Sequence, residues 1–162
     1  QRGMRAVISV IGSQTAQYTE NGVENAYWSH LRLERLTEMQ DVFEVQNHSW
    51  NLHEYGERRG CLRRRGEDEG SYEALLREDT EQTQKLLSEA GLPTPTCYTY
   101  PFGACSEESE RILEGMGFLC TLGCEERINL VTRDPACLYE MGRYNRGAGE
   151  STESFLSRAL GE

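Results

Sequence analysis

No apolar run in this 162-residue chain approaches the roughly 20 residues that a membrane-spanning helix needs. The chain has no excess of positive charge either. Its net charge of −10 would repel the phosphates of a nucleic acid, so nucleic acid is not an expected partner. No basic segment leads into a long apolar stretch near the start, so no signal peptide is read here. No CxxC pair occurs among Cys61, Cys97, Cys105, Cys120, Cys124 and Cys137, and the expectation is free or buried thiols. Cys120 and Cys124, four apart, give a weak metal or disulfide signal beside that expectation. Internal repeats and low-complexity tracts are missing too. Histidine is scarce, with three residues in all.

What is present fits a single globular domain over residues 1–162. Hydrophobic residues make up 37% and charged residues 27%, too balanced for disorder. Strands are expected at 6–11, 42–47, 96–100, 118–122 and 138–144. A helix is expected from a Ser29 cap through Leu36, and another over 71–90, with apolar residues at Leu75, Leu76, Leu86 and Leu87 and a stop at Gly91. A third opens at Ser106, buries Ile112, Leu113 and Met116 and stops at Gly117. A last one runs from Ser151 or Thr152 to Leu160. Strands alternating with helices predict an α/β fold with a mainly parallel sheet. Segment 54–70, with Arg58, Arg59, Arg63, Arg64 and Arg65, reads as a solvated loop or as a patch that grips an anionic polymer. At the start, Arg2-Gly3-Met4-Arg5 reads as the end of a helix with its glycine stop.

The densest chemistry lies in His48-Ser49-Trp50-Asn51-Leu52-His53, just after the second expected strand. Two positions five apart diverge by roughly 140° around a helix. If both rings bind one ion, the backbone between them must turn, as a strand end running into a loop does. Histidine is the commonest protein ligand for ions such as zinc. Spacing alone leaves metal ligation and ordinary packing both open for this pair, whereas His30 reads as a packed or surface residue. The segment Tyr98-Thr99-Tyr100-Pro101-Phe102-Gly103-Ala104-Cys105-Ser106 joins a strand to a helix. Its proline and glycine set a tight turn, and backbone amides at such a turn can stabilise an oxyanion.

Together these two segments resemble the polysaccharide deacetylases (carbohydrate esterase family four, the chitooligosaccharide-deacetylase homology domain). The stretch Gly3-Met4-Arg5-Ala6-Val7-Ile8-Ser9-Val10-Ile11-Gly12 is similar to the family's helix end, strand and glycine. The five-residue histidine spacing followed by Tyr-Pro-aromatic-Gly resembles the branch acting on biofilm poly-N-acetylglucosamine.

The resemblance implies an irregular (β/α) barrel, a divalent metal, zinc first with cobalt or nickel as alternatives, and hydrolysis of the acetamide of an N-acetylated polysaccharide. It implies His48 and His53 as metal ligands and Ser49 as support for their loop. The backbone amide of Phe102 would stabilise the oxyanion. Tyr100, Pro101 and Gly103 would shape the groove, and Trp50 is either a sugar-stacking wall or a core tryptophan. An extracellular or cell-surface setting is implied for the full-length protein.

The chain also departs from the family pattern. The early Thr-Phe-Asp-Asp motif, which supplies the base and a third ligand, would lie before Gln1. The first strand and most of the first helix would be missing with it, leaving a sheet edge open to self-association. Thr99 stands where many members have arginine, and Arg143 is a candidate replacement. No late Leu-x-His motif follows Arg146. The expectation is therefore a chain that is inactive as it stands. A non-catalytic carbohydrate-binding relative and an O-deacetylase of acetylated xylan are the alternatives.

Overall fold

The computed structural model describes residues 3–22, 25 and 27–161. The part of the opening helix-end reading that falls on Arg2 lies outside these residues. Gly3 itself has φ 64°, the left-handed conformation of a glycine stop.

Four strands, β1 (Ala6–Val10), β2 (Phe43–Asn47), β3 (Cys97–Thr99) and β4 (Cys120–Leu122), form one parallel sheet in the order β1-β2-β3-β4. Helices α1 (Gly12–Asn21), α2 (Leu33–Glu38), α3 (Glu69–Glu89) and α4 (Glu107–Gly115) lie in the connections, and α5 (Thr152–Leu160) follows. Parallel strands need such crossovers, so the alternation in the sequence produces this sheet. Between the described residues the sheet stays open, with β1 and β4 at its edges.

Strand alternation sends one set of side chains toward the helices. Val10 and Val45 pack with Leu36, Leu87 and Leu92. A second cluster joins Cys61, Tyr72, Leu76, Tyr98, Tyr100, Ile112, Leu113 and Phe118. The β2–β3 ladder has one register pair, Asn47 with Tyr98. Gln46 extends it, because its buried Oε1 accepts the amides of Thr96 at 2.9 Å and Cys97 at 2.7 Å.

Three elements differ from expectation. The polar helix α1 buries only Gly12 and Thr15, so it has no apolar stripe to reveal it. The helix expected at Ser29 begins at Leu33. Ser29 instead closes a turn, its hydroxyl accepting from Asn25 N at 2.8 Å and donating to Asn25 O at 2.5 Å. The strand expected at 138–144 is reduced to a bridge between Leu122 and Met141, because Glu140 turns left-handed at φ 55°. Three arginines of the 54–70 segment are tied up in ion pairs, two within the segment and one to α4: Arg58 pairs with Glu67, Arg64 with Glu57 at 3.1 Å, and Arg63 with Glu108 at 3.4 Å. All six cysteines are free thiols.

Candidate functional site

The histidine loop is built from its neighbours. At the end of β2, His48 N donates to Val10 O at 3.0 Å. Past β1, Gly12 N donates to Ser49 O at 3.0 Å and Ser13 N to Trp50 O at 3.1 Å. Ser49 has φ 72°, a conformation a non-glycine residue holds only when its surroundings fix it. The fixing groups are visible. Buried Asn47 accepts from Ser49 N at 2.8 Å and donates to Thr80 O at 3.1 Å. The Ser49 hydroxyl accepts from Leu52 N at 3.1 Å. On α3, the two carboxylate oxygens of Asp79 accept from Trp50 N and Asn51 N, each at 2.8 Å. A Cβ on Gly12 would overlap the Trp50 ring and the Thr83 hydroxyl, so half-buried Trp50 packs against α1 and α3.

This turn brings the two rings together. The His48 and His53 centroids lie 4.9 Å apart at 50°. His48 Nδ1 sits 2.6 Å from Thr99 O. A backbone carbonyl can only accept, so Nδ1 carries the proton and Nε2 keeps its lone pair. Burial pushes the His48 pKa down to about 4, the Thr99 bond partly offsets it, and the charges of His53 and then Arg143 lower it further. The ring is therefore neutral near pH 7, as a ligand must be, and its second nitrogen is oriented as in metal-bound histidines. Among the described residues, no group of three His, Cys, Asp or Glu side chains could hold an ion. The pair fits two ligand positions of a divalent metal and stops there. Burial, and then the charge of His53, lowers the His30 pKa; its ring is 5.6 Å from that of Tyr18.

The second loop meets the first through Phe102. Pro101–Gly103 form a 3-10 turn in which Phe102 has φ 58° and Gly103 φ 63°. A Cβ on Gly103 would overlap Cys124 Sγ and lie 2.7 Å from Cys124 N, so only glycine fits. The Phe102 ring stacks on His53 at 4.4 Å and lies 5.2 Å from the Tyr55 ring. A cleft of about 380 Å³ opens there, lined by Glu54, Tyr55, Gly56, Arg58, Arg59 and Phe102. Tyr100 and Pro101 are buried beneath the turn. Arg143 Nε donates to Gly123 O at 2.6 Å.

His48, His53, Ser49, Phe102 and Gly103 thus share one corner above the strand ends, Arg143 reaches it electrostatically, and Trp50 turns toward the helices. Sequence reasoning missed Asp79, Asn47 and Tyr55. For Asp79 a signal existed: Tyr72, Leu76, Thr80, Thr83 and Leu87 form the buried stripe of α3, and Asp79 is an acid lying on it.

Solved structures share this architecture. The de-N-acetylase from Aggregatibacter actinomycetemcomitans matches with a TM-score of 0.72 and 16% identity over 95% of this chain and 64% of its own. The Streptococcus pyogenes deacetylase PplD gives 0.70 and 17% over 96% of this chain and 58% of its own. IcaB from Ammonifex degensii gives 0.67 and 21% over 95% of this chain and 60% of its own. The chain thus spans less than two thirds of each. No curated protein matches it. The polysaccharide deacetylase family pattern matches residues 1–120, which span the histidine loop and the Phe102 turn. This chain belongs to the polysaccharide deacetylase family.

Proposed function

We propose that the chain carries the two-histidine half of a metal-dependent site that removes acetyl groups from N-acetylglucosamine-containing polysaccharide by hydrolysis, in the manner of the biofilm poly-N-acetylglucosamine branch. The observation that carries this is the neutral His48 ring, tied to Thr99 O and set beside His53 and Phe102. A divalent ion, zinc first and cobalt or nickel next, would be held by His48 and His53 and would supply a Lewis acid and a more acidic water.

The chain's own residues do the rest. The Phe102 amide would be the oxyanion donor beside the histidines, since Gly103 N and Ala104 N already donate to Tyr100 O at 2.9 Å and Pro101 O at 3.0 Å. Phe102 and Tyr55 offer ring faces to a sugar beside the reacting acetamide. Arg143 adds positive charge near His48. Among the described residues no third side chain joins the pair as a ligand, and our reading is that the carboxylate serving as base and third ligand is not supplied here, so that this chain alone does not turn over substrate. We place the full-length protein outside the cell or at its surface, and expect the β1 edge to support self-association.

The test is acetate release from N-acetylglucosamine oligomers, with added zinc, cobalt or nickel, by this chain and by a form extended upstream. Release by the extended form alone is expected. Equal turnover by both refutes the insufficiency of this chain. Acetylxylan as the preferred substrate would favour an O-deacetylase. The incomplete ligand set also admits a non-catalytic carbohydrate-binding relative, which would bind the oligomers and release no acetate in either form.

A further inference from the structure

We infer that Asp79 is a positioning residue which holds the His48–His53 loop in its ring-facing form before any ion arrives. Three observations converge. The Asp79 carboxylate is 8% exposed and makes no ion pair among the described residues, so its charge is balanced by hydrogen-bond donors alone. Those donors are two consecutive backbone amides, Trp50 and Asn51, in the middle of the four residues between the histidines. The same span starts with Ser49 in the left-handed region, a conformation that relaxes unless held.

The geometry leaves few other roles. Loop amides with no partner would either face water or force the loop to reorganise. A carboxylate with both oxygens used fixes two adjacent peptide planes at once, and hydrogen bonds to a charged acceptor are the stronger kind. Asn47, Gly12 and Ser13 hold the start of the loop. Asp79 holds its middle, beyond which the chain runs on to His53. It therefore ties ring separation to α3, an element of the core, and not to the metal.

The inference rests on the reading of His48 and His53 as ligands only for its meaning, since the geometry is tested without metal. In the metal-free chain, Asp79→Asn keeps the size but leaves one acceptor and turns an NH2 toward the other amide. Glu78→Gln, an exposed neighbour, makes the same charge change and serves as control. Nuclear magnetic resonance should show Trp50 and Asn51 amide exchange accelerated at least about tenfold in Asp79→Asn. The His53 ring protons should lose their shift from Phe102, with the Tyr98 and Phe118 core signals retained. Glu78→Gln should match the wild type.

A folded Asp79→Asn with unchanged exchange and unchanged His53 shifts overturns the inference, as does an equal effect from Glu78→Gln. If Asp79→Asn does not fold, the wild type decides. Protected Trp50 and Asn51 amides support the inference, and exchange as fast as in exposed peptide overturns it. Zinc added to the wild type separates the two claims. Rings that stay unmoved by zinc refute the ligand reading, while the exchange and ring-shift results still decide Asp79.

Discussion

His48 is useful because of a group that is not a side chain. The Thr99 carbonyl 2.6 Å from Nδ1 fixes which nitrogen faces outward, and burial keeps the ring uncharged. Nitrogen shifts should therefore report a neutral His48 with its proton on Nδ1; the opposite tautomer would remove this ring as a ligand through Nε2. Gly103 is equally constrained. Alanine there would sit at φ 63° and collide with Cys124. Gly103→Ala should destabilise the fold by about 2–4 kcal/mol in chemical denaturation, combining left-handed strain and overpacking. At this scale the sequence was informative where chemistry is concentrated in one segment, as in 48–53 and 100–103. It was silent on contacts between distant residues. Nothing in the spacing of Asp79 or Thr99 announces a loop 28 or 51 positions away.

Elements were legible to the extent that they bury apolar surface or carry caps. Helix α4 has both. Its Ser106 hydroxyl and the Ser109 side chain form a reciprocal capping box, with serine in the place usually taken by an acid, and Ile112 and Leu113 are buried. Ser106→Ala should cost about 1 kcal/mol, read as a lower denaturation midpoint with no change in slope. Helix α1 was illegible because its inward residues are Gly12 and Thr15, which serve close approach to Trp50 and Thr83 instead of apolar burial. The late strand failed for a local reason, the left-handed Glu140. Of the four leucines that marked α3, Leu76 and Leu87 are buried, while half-exposed Leu75 and Leu86 flank the stripe.

Across the whole molecule, the parallel α/β order followed from the alternation of patterns, and the family follows from the two loops that this order sets side by side. One global consequence is alkaline sensitivity. Burial pushes the Cys61 thiol up to about 12 from 9.0, so the folded state favours the protonated form. The stabilisation is full below about pH 9 and is lost as pH rises toward 12, because the unfolded chain ionises first. Urea midpoints should fall across that window, and Cys61→Ala should flatten the fall. The second consequence lies at the outer side of β1, which has no strand partner among the described residues and where Val7 is 54% exposed. Sedimentation should show association that rises with concentration, and Val7→Lys should reduce it.

The central claim is that His48 and His53 act together on one ion, and a zinc titration followed through the histidine ring resonances tests it most directly. The account predicts that both rings shift in step, that His48→Ala abolishes the response of His53, and that His30→Ala leaves it intact. Shifts that are absent, or that survive His48→Ala unchanged, would contradict it.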